Sequence, residues 1–296
     1  MIAFLLGKEA LGTLCMLNAL LALSQFVVLR AGVFSLATPG LAAMGAYTAG
    51  GLTLRFGLPP AVTVVCAGLV AMAGAMLLAL PLARLRGVFQ AIATLAFVQI
   101  LISLALYAEP LTGGATGLNG IPQSVGIWHV AVILGLTTYV VARLGASPTG
   151  RAFDTIRQDE TVAVSLGIDV VRHHALAFAL SGLVGGIAGG LMASHNYSVN
   201  SGEFGFGMMI AVLSFVVLGG RQSVAGPITG AFVLTLLPEL ARPLADNRMI
   251  VYGALLMVAI IYLPHGIVDT WLLHRLRRQS TAASGTAGSA PKQAGI

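Results

Sequence analysis

The chain has 296 residues, 57% of them hydrophobic and 9% charged, with a formal net charge of +6 and a mean hydropathy of +0.92. A soluble domain carries roughly 25% charged residues, because charged side chains clothe its boundary with water. This composition therefore excludes a soluble enzyme, a disordered regulator and a nucleic-acid-binding domain, and leaves an all-α, polytopic transmembrane helix bundle.

A helix needs about 20 apolar residues to cross roughly 30 Å of hydrocarbon. That length predicts spans over 10–29, 33–54, 61–82, 88–107, 127–144, 175–194, 204–220, 226–241 and 249–264, about nine in all and within eight to ten. No cleavable signal precedes the first run, where Lys8 adjoins Glu9. The second run contains Thr38-Pro39-Gly40, the mark of a broken or re-entrant element, and the eighth is interrupted by Pro238 and Glu239. Cys15 and Cys66 lie inside apolar runs without metal-ligand spacing. In the sixth run Gly182, Gly186 and Gly190 recur every fourth residue. Such a flat strip lets helix backbones approach closely in lipid, and it serves packing inside one bundle or a contact between subunits equally well. The transmembrane body is expected over residues 1–278. The small, polar segment 279–296 buries too little apolar area to offset its ordering entropy and is expected to be a disordered tail.

Orientation follows from the distribution of Lys and Arg. With the Arg84/Arg86 gap placed in the cytoplasm, twelve basic residues fall inside, including Arg30, Arg143, Arg151 and Arg157. Four fall outside: Lys8, Arg55, Arg242 and Arg248. The expected topology has the amino terminus outside and the carboxyl tail in the cytoplasm.

No G-x-x-x-x-G-K-[ST] phosphate loop occurs, nor an H-E-x-x-H or C-x-x-C motif, so no catalytic residues, metal or cofactor are assigned. His173 and His174 adjoin each other in a gap and share no helix face. Proton relays and ion-coupled carriers place titratable groups deep in their spans. Glu109 and Glu239 are the candidates here, and both fall near predicted outer ends.

The charges gather instead between Gly145 and His174, where 30 residues hold seven of the 26. Ser147-Pro148 reads as a cap with a first-turn proline and Gly167 as a stop. Between them Phe153 and Ile156 share a face while Arg151, Asp154 and Arg157 point elsewhere. This predicts a short amphipathic cytoplasmic helix, either lying at the headgroups or docking on a protein. Asp154, Asp159 and Glu160 suit a protein partner, since interfacial helices favour basic residues.

The segment GRAFDTIRQDETVAVSLGID resembles the cytoplasmic coupling loop of the LivM-type permeases of branched-chain amino acid ABC importers. AGVFSLATPGLAAMGAYTAG, RLRGVFQAIATLAFVQI, LTGGATGLNGIP, VLGGRQSVAGPITGA and the carboxyl-terminal third resemble that family's other segments in the same order, over about residues 20–268. Two places depart from it. Ala37-Thr38-Pro39 stands where a Gly-His or Gly-Gln pair is more usual, and of the importer loop pattern Glu-Ala-Ala-x-x-x-Gly only Ala163 and Gly167 remain.

The resemblance implies a non-catalytic, multi-pass subunit of the bacterial cytoplasmic membrane. Its implied partners are a second homologous permease, two cytoplasmic ATPase subunits and an extracytoplasmic solute-binding protein. ATPase docking is then expected of Arg151, Phe153, Asp154, Ile156, Arg157, Asp159, Glu160, Ala163 and Gly167, with Phe153 and Ile156 filling a groove on the ATPase. A zwitterionic solute needs polar groups along its route, and broken helices offer backbone groups where they line a cavity. The candidates are Ser35 and Thr38 in one place and Thr112, Gly113, Gly114, Thr116 and Asn119 in the other. The second set reads equally as an external loop that meets the binding protein. Urea, short amides and aromatic acids stand beside leucine, isoleucine and valine as substrates, and an ion-coupled carrier is the competing class.

Overall fold

The computed structural model describes residues 2–83 and 85–240, together with 253, 257, 266 and 268. The expected span 249–264, apart from Gly253 and Met257, and the tail 279–296 lie outside the described residues. The described chain is helical. Its helices are α1 (Ile2–Arg30), α2 (Thr38–Phe56), α3 (Pro60–Leu82), α4 (Val88–Tyr107), α5 (Glu109–Thr112), α6 (Ile127–Ala146), α7 (Pro148–Gln158), α8 (Glu160–Ser165), α9 (Val170–Asn196), α10 (Phe206–Gly219) and α11 (Ala225–Leu240). Two-residue strands β1 (Leu118–Asn119) and β2 (Ser198–Val199) pair antiparallel, with Leu118 opposite Val199.

Among the described residues five helices are long and apolar enough to cross a membrane: Glu9–Arg30, Pro60–Leu82, Val88–Tyr107, Ile127–Ala146 and Val170–Asn196. The expected runs 204–220 and 226–241 form α10 and α11, apolar helices of 14 and 16 residues. At 1.5 Å per residue the 14 residues of α10 rise about 21 Å, and α11 is described only as far as Leu240. The expected count of about nine is therefore met in part. The run 33–54 is divided as Thr38-Pro39-Gly40 suggested: residues 33–37 form no regular secondary structure and α2 begins at Thr38 with proline in its first turn.

The bundle is built around α9, which packs against α1, α2 and α3. Its glycine face turns inward. A Cβ on Gly189 would collide with the carbonyl of Ala42 in α2, and one on Gly182 or Gly186 with the backbone of α3. On α2, Gly45 abuts the Gly186 carbonyl in the same way. The strip is thus a packing surface within one chain, where backbone proximity supplies the dispersion that water exclusion cannot supply in lipid. Ser24 of α1 reaches across to α9, its hydroxyl donating to the Ser181 carbonyl at 2.8 Å.

Candidate functional site

At one end of the bundle the polar segment 148–165 folds as two helices rather than one. Ser147 caps α7, its hydroxyl accepting from the Gly150 N–H at 3.3 Å, with Pro148 in the first turn. The chain then breaks at Asp159, which adopts an extended conformation and caps α8 by accepting from Thr161 N–H at 2.8 Å and Val162 N–H at 3.2 Å. Gly167 closes the segment at φ +80°, a conformation that requires glycine.

The hydrophobic face of this elbow does not await a partner. Phe153 and Ile156 are buried in their own chain, which corrects the expectation that they fill a groove on an ATPase. Phe153 meets the His173 ring edge-on at a centroid distance of 6.1 Å. Ile156 clusters with Ala163 and Val170. The same apolar pattern that would suit docking is satisfied here by anchorage. Among the residues that remain exposed are Arg151, Asp159, Val162, Val164 and Leu166.

Asp154 is likewise turned inward. Its carboxylate accepts from Nε of Arg30 at 3.1 Å and from the terminal nitrogen at 2.9 Å, a two-point pair at the end of α1. Arg157 stands 3.9 Å from the same carboxylate. Gly32, in the left-handed region, brings the turn after α1 against the Arg157 backbone, where a Cβ would sit 3.1 Å from Cα. Glu160 pairs with Arg86, just before α4, at 3.3 Å, but Arg86 is 80% exposed and such pairs contribute little. Between these elements lies a cleft of about 380 Å³ lined by Arg86, Gln90, Glu160 and His174 among others. Nε2 of His174 is buried there without a hydrogen-bond partner.

The backbone N–H of Val162, and then that of Thr161, hold the Asp159 carboxyl below the usual carboxylate range. A depressed folded-state pKa contributes stability above the unfolded value, and that contribution is lost as pH falls through the folded one. Proteolysis within 148–168 is therefore expected to rise on acidification. Asp159→Asn keeps the capping oxygen and is expected to give a pH-flat profile, while Asp159→Ala is expected to be cleaved readily at every pH. Identical acid profiles for the wild type and Asp159→Asn would show that this cap does not control the segment.

Ser35 and Thr38 are both buried and fully engaged. Gln25 donates to the Ser35 carbonyl at 2.6 Å and accepts from the Thr38 hydroxyl at 2.6 Å. Leu36 N–H donates to the Thr94 hydroxyl of α4 at 2.9 Å. This network stabilises a non-helical stretch inside the bundle, where unpaired backbone groups would be costly.

The glycine-rich candidates lie at the opposite end of α2. Gly50 faces Leu118 and Ile121, about 18 Å from Thr38 along the helix axis. Gly113, Gly114 and Gly117 all take positive φ. Thr112 donates to the Ala108 carbonyl at 2.9 Å, Thr116 to the Gly113 carbonyl at 2.8 Å and Asn119 to the Thr116 carbonyl at 2.9 Å. The β1–β2 pair and a bond from Ile121 N–H to the Tyr197 carbonyl at 3.1 Å pin this loop to the end of α9. The two candidate sets are thus not brought together. Arg30, Gln25 and Thr94 escaped sequence reasoning because each acts through a partner distant along the chain. Among the described residues no group of three His, Cys, Asp or Glu could hold a metal ion.

These features define a multi-pass α-helical membrane protein with a polar helical elbow strapped to one end and an ordered glycine loop at the other. The family described as branched-chain amino acid transport system / permease component matches over residues 9–260, and the chain belongs to it. The chain is 32% identical over 297 residues to the high-affinity branched-chain amino acid transport system permease protein LivM of Salmonella typhimurium, covering 88% of this chain and 70% of that protein. The LivM protein of Escherichia coli K12 matches with the same identity and coverage. The fructose import permease protein FrcC of Rhizobium meliloti is 25% identical over 274 residues, 85% of this chain and 74% of that one. No solved structure matches.

Proposed function

We propose that this chain is a permease subunit of an ABC importer in the bacterial inner membrane. With a second, related permease it forms the path for branched-chain amino acids, or a related small polar solute, delivered by an extracytoplasmic solute-binding protein. Two cytoplasmic ATPase subunits supply the work. The observation that carries this reading is the similarity to two LivM permeases over 88% of this chain and 70% of each of them. The absence of a phosphate loop from the sequence accords with it.

The elbow 148–165 is the ATPase-coupling surface in this reading. Arg151, Asp159 and Glu160, with exposed Val162, Val164 and Leu166, face the ATPase. Phe153, Asp154, Ile156, Arg157 and Ala163 tie the elbow to the body, and Gly167 ends it. Arg30, Arg86, Arg143, Arg151 and Arg157 all belong to this end of the bundle, which supports placing it in the cytoplasm, with the amino terminus outside and the carboxyl tail inside.

ATP-dependent uptake of labelled leucine by the complete complex in proteoliposomes tests the reading. Competition by isoleucine and valine, but not by urea, short amides, aromatic acids or fructose, fixes the substrate class. Uptake that persists without ATPase subunits, and that a protonophore abolishes, would overturn it in favour of an ion-coupled carrier. Reversing the charges of Asp159 and Glu160 together is expected to abolish uptake while the chain still inserts. Gly167→Pro is expected to do the same, because proline cannot adopt φ +80°. Undiminished uptake and ATPase co-purification in both variants would remove the docking assignment.

A further inference from the structure

The exposed surfaces of the span-length helices are not alike. On α3 the exposed large side chains, among them Val62, Val65, Leu69, Leu77 and Leu80, are all apolar, as contact with lipid requires. On α6 the exposed middle carries Val132, Leu136 and Val140, together with Tyr139, whose hydroxyl accepts from Arg143 Nε at 3.1 Å. Helix α4 breaks this pattern. Gln99, near the midpoint of the apolar span Val88–Tyr107, and Ser103, one turn further on, are both exposed. Neither side chain makes a hydrogen bond within the described residues. Hydrocarbon cannot satisfy a carboxamide and a hydroxyl at that depth, so this face is not built for lipid.

Gln99 and Ser103 stand one turn apart beside a second one-turn pair, Ile100 and Leu104, and with Tyr107 they line an open recess of about 400 Å³. The opposite face of α4 holds the non-helical stretch before α2 and the first turn of α2: Thr94 takes the Leu36 N–H, and Val98 and Leu101 lie against Gly40. Gln90, near the first turn of α4, lines the cleft beside the coupling elbow, and the last turn leads into the glycine loop. A close-packed helix contact is built on small residues every fourth position, as on α9. Large apolar side chains flanking two unpaired polar groups are instead suited to a solute with both characters.

We propose that this face of α4 forms one wall of the translocation path. Gln99 and Ser103 meet the ammonium and carboxylate of a zwitterionic amino acid, Ile100 and Leu104 lie along its apolar side chain, and the second permease closes the path opposite. The inference rests on the importer reading above, and its test reads separately from uptake.

Gln99→Cys and Ser103→Cys, in the complete transporter in membrane vesicles, are treated with a charged methanethiosulfonate in nucleotide-free and ATP-bound states. Wild-type chain, in which Cys15 is buried and Cys66 half-buried, sets the background. Leu69→Cys and Leu77→Cys on α3 report lipid exposure. Labelling of both α4 positions above background in at least one state, with the α3 positions unlabelled, is the expected result. Reaction only with a lipid-soluble maleimide, matching the α3 controls, would overturn the proposal. So would no labelling together with oxidative cross-linking to the second permease, which would make this a packed interface. Gln99→Leu is expected to lower leucine uptake roughly tenfold, about the worth of one hydrogen bond, with normal ATPase co-purification. If the α4 cysteines label while the wild type takes up no amino acid, the path stands and the amino-acid importer reading fails.

Discussion

Asp154→Ala is expected to abolish ATP-driven uptake and loosen the elbow while the transmembrane body remains inserted. The Arg30–Asp154 pair joins the coupling segment to the end of α1, with Arg30 15% and Asp154 34% exposed. That burial places it between surface pairs, worth about 0–1 kcal/mol, and buried pairs, whose breakage costs about 3–5 kcal/mol. A loss of about 2 kcal/mol is expected for the alanine variant, since Arg30 would keep only the weak bond to the Gly145 carbonyl at 3.4 Å. Arg30 is followed by a two-residue turn, Ala31-Gly32, and the non-helical stretch 33–37. A displacement of α7 that pulls on Arg30 therefore reaches the start of α2 without passing through a loose linker. Arg30→Asp is expected to behave like Asp154→Ala, and the charge-swapped double variant to recover part of the uptake. The recovery should be incomplete, because Arg157 would then face an arginine at 154. Wild-type uptake and protease resistance in both single variants would show that this pair transmits nothing.

The same pair marks a boundary of what the sequence reveals. Long apolar runs are legible because lipid imposes their length and composition, and the division of the second run was legible in Thr38-Pro39-Gly40. Ser147-Pro148 located the start of α7 for a local reason, since a cap and a first-turn proline act within four residues. Asp159 was not legible as a break. An acidic residue in a helical pattern serves equally as a surface charge or as a cap, and the choice depends on how α8 is anchored. Phe153 and Ile156 announced a buried face but not what buries it, because the pattern is the same for a partner and for the chain itself. Arg30 finds Asp154 across 124 residues of sequence, a separation at which no spacing rule operates. The resemblance was more informative in its departures. Ala163 and Gly167, the two matches to the importer loop pattern, are a buried core residue and a left-handed turn, whereas Thr161 and Val162, which depart from it, are exposed. What is shared here is the shape of the elbow, and what differs is the surface it offers.

Gly186→Ala and Gly189→Ala are expected to deplete the chain from the membrane, with a loss of about 1–3 kcal/mol each or more from overpacking. A Cβ at Gly189 would enter the Ala42 carbonyl, and one at Gly186 would enter Ala71 and the Ala67 carbonyl. Neighbours of this kind cannot swing aside as a flexible side chain could, so the helices must separate. The same substitution at Gly51 in α2 or Gly135 in α6, where a Cβ meets nothing within 4 Å, is expected to be neutral or to stabilise by up to about 1 kcal/mol through helix propensity. Detergent-solubilised thermal unfolding and membrane abundance, measured on all four, separate the two sign classes. The contrast bears on transport because α9 holds α2 and α3 at backbone distance. Residues 33–37 can stay outside a helix within the bundle only while α2 is held there for Gln25 and Thr94 to satisfy them. Wild-type stability in Gly189→Ala would mean that α2 and α9 are not in backbone contact, and the route from the elbow through 33–37 into α2 would lose its support.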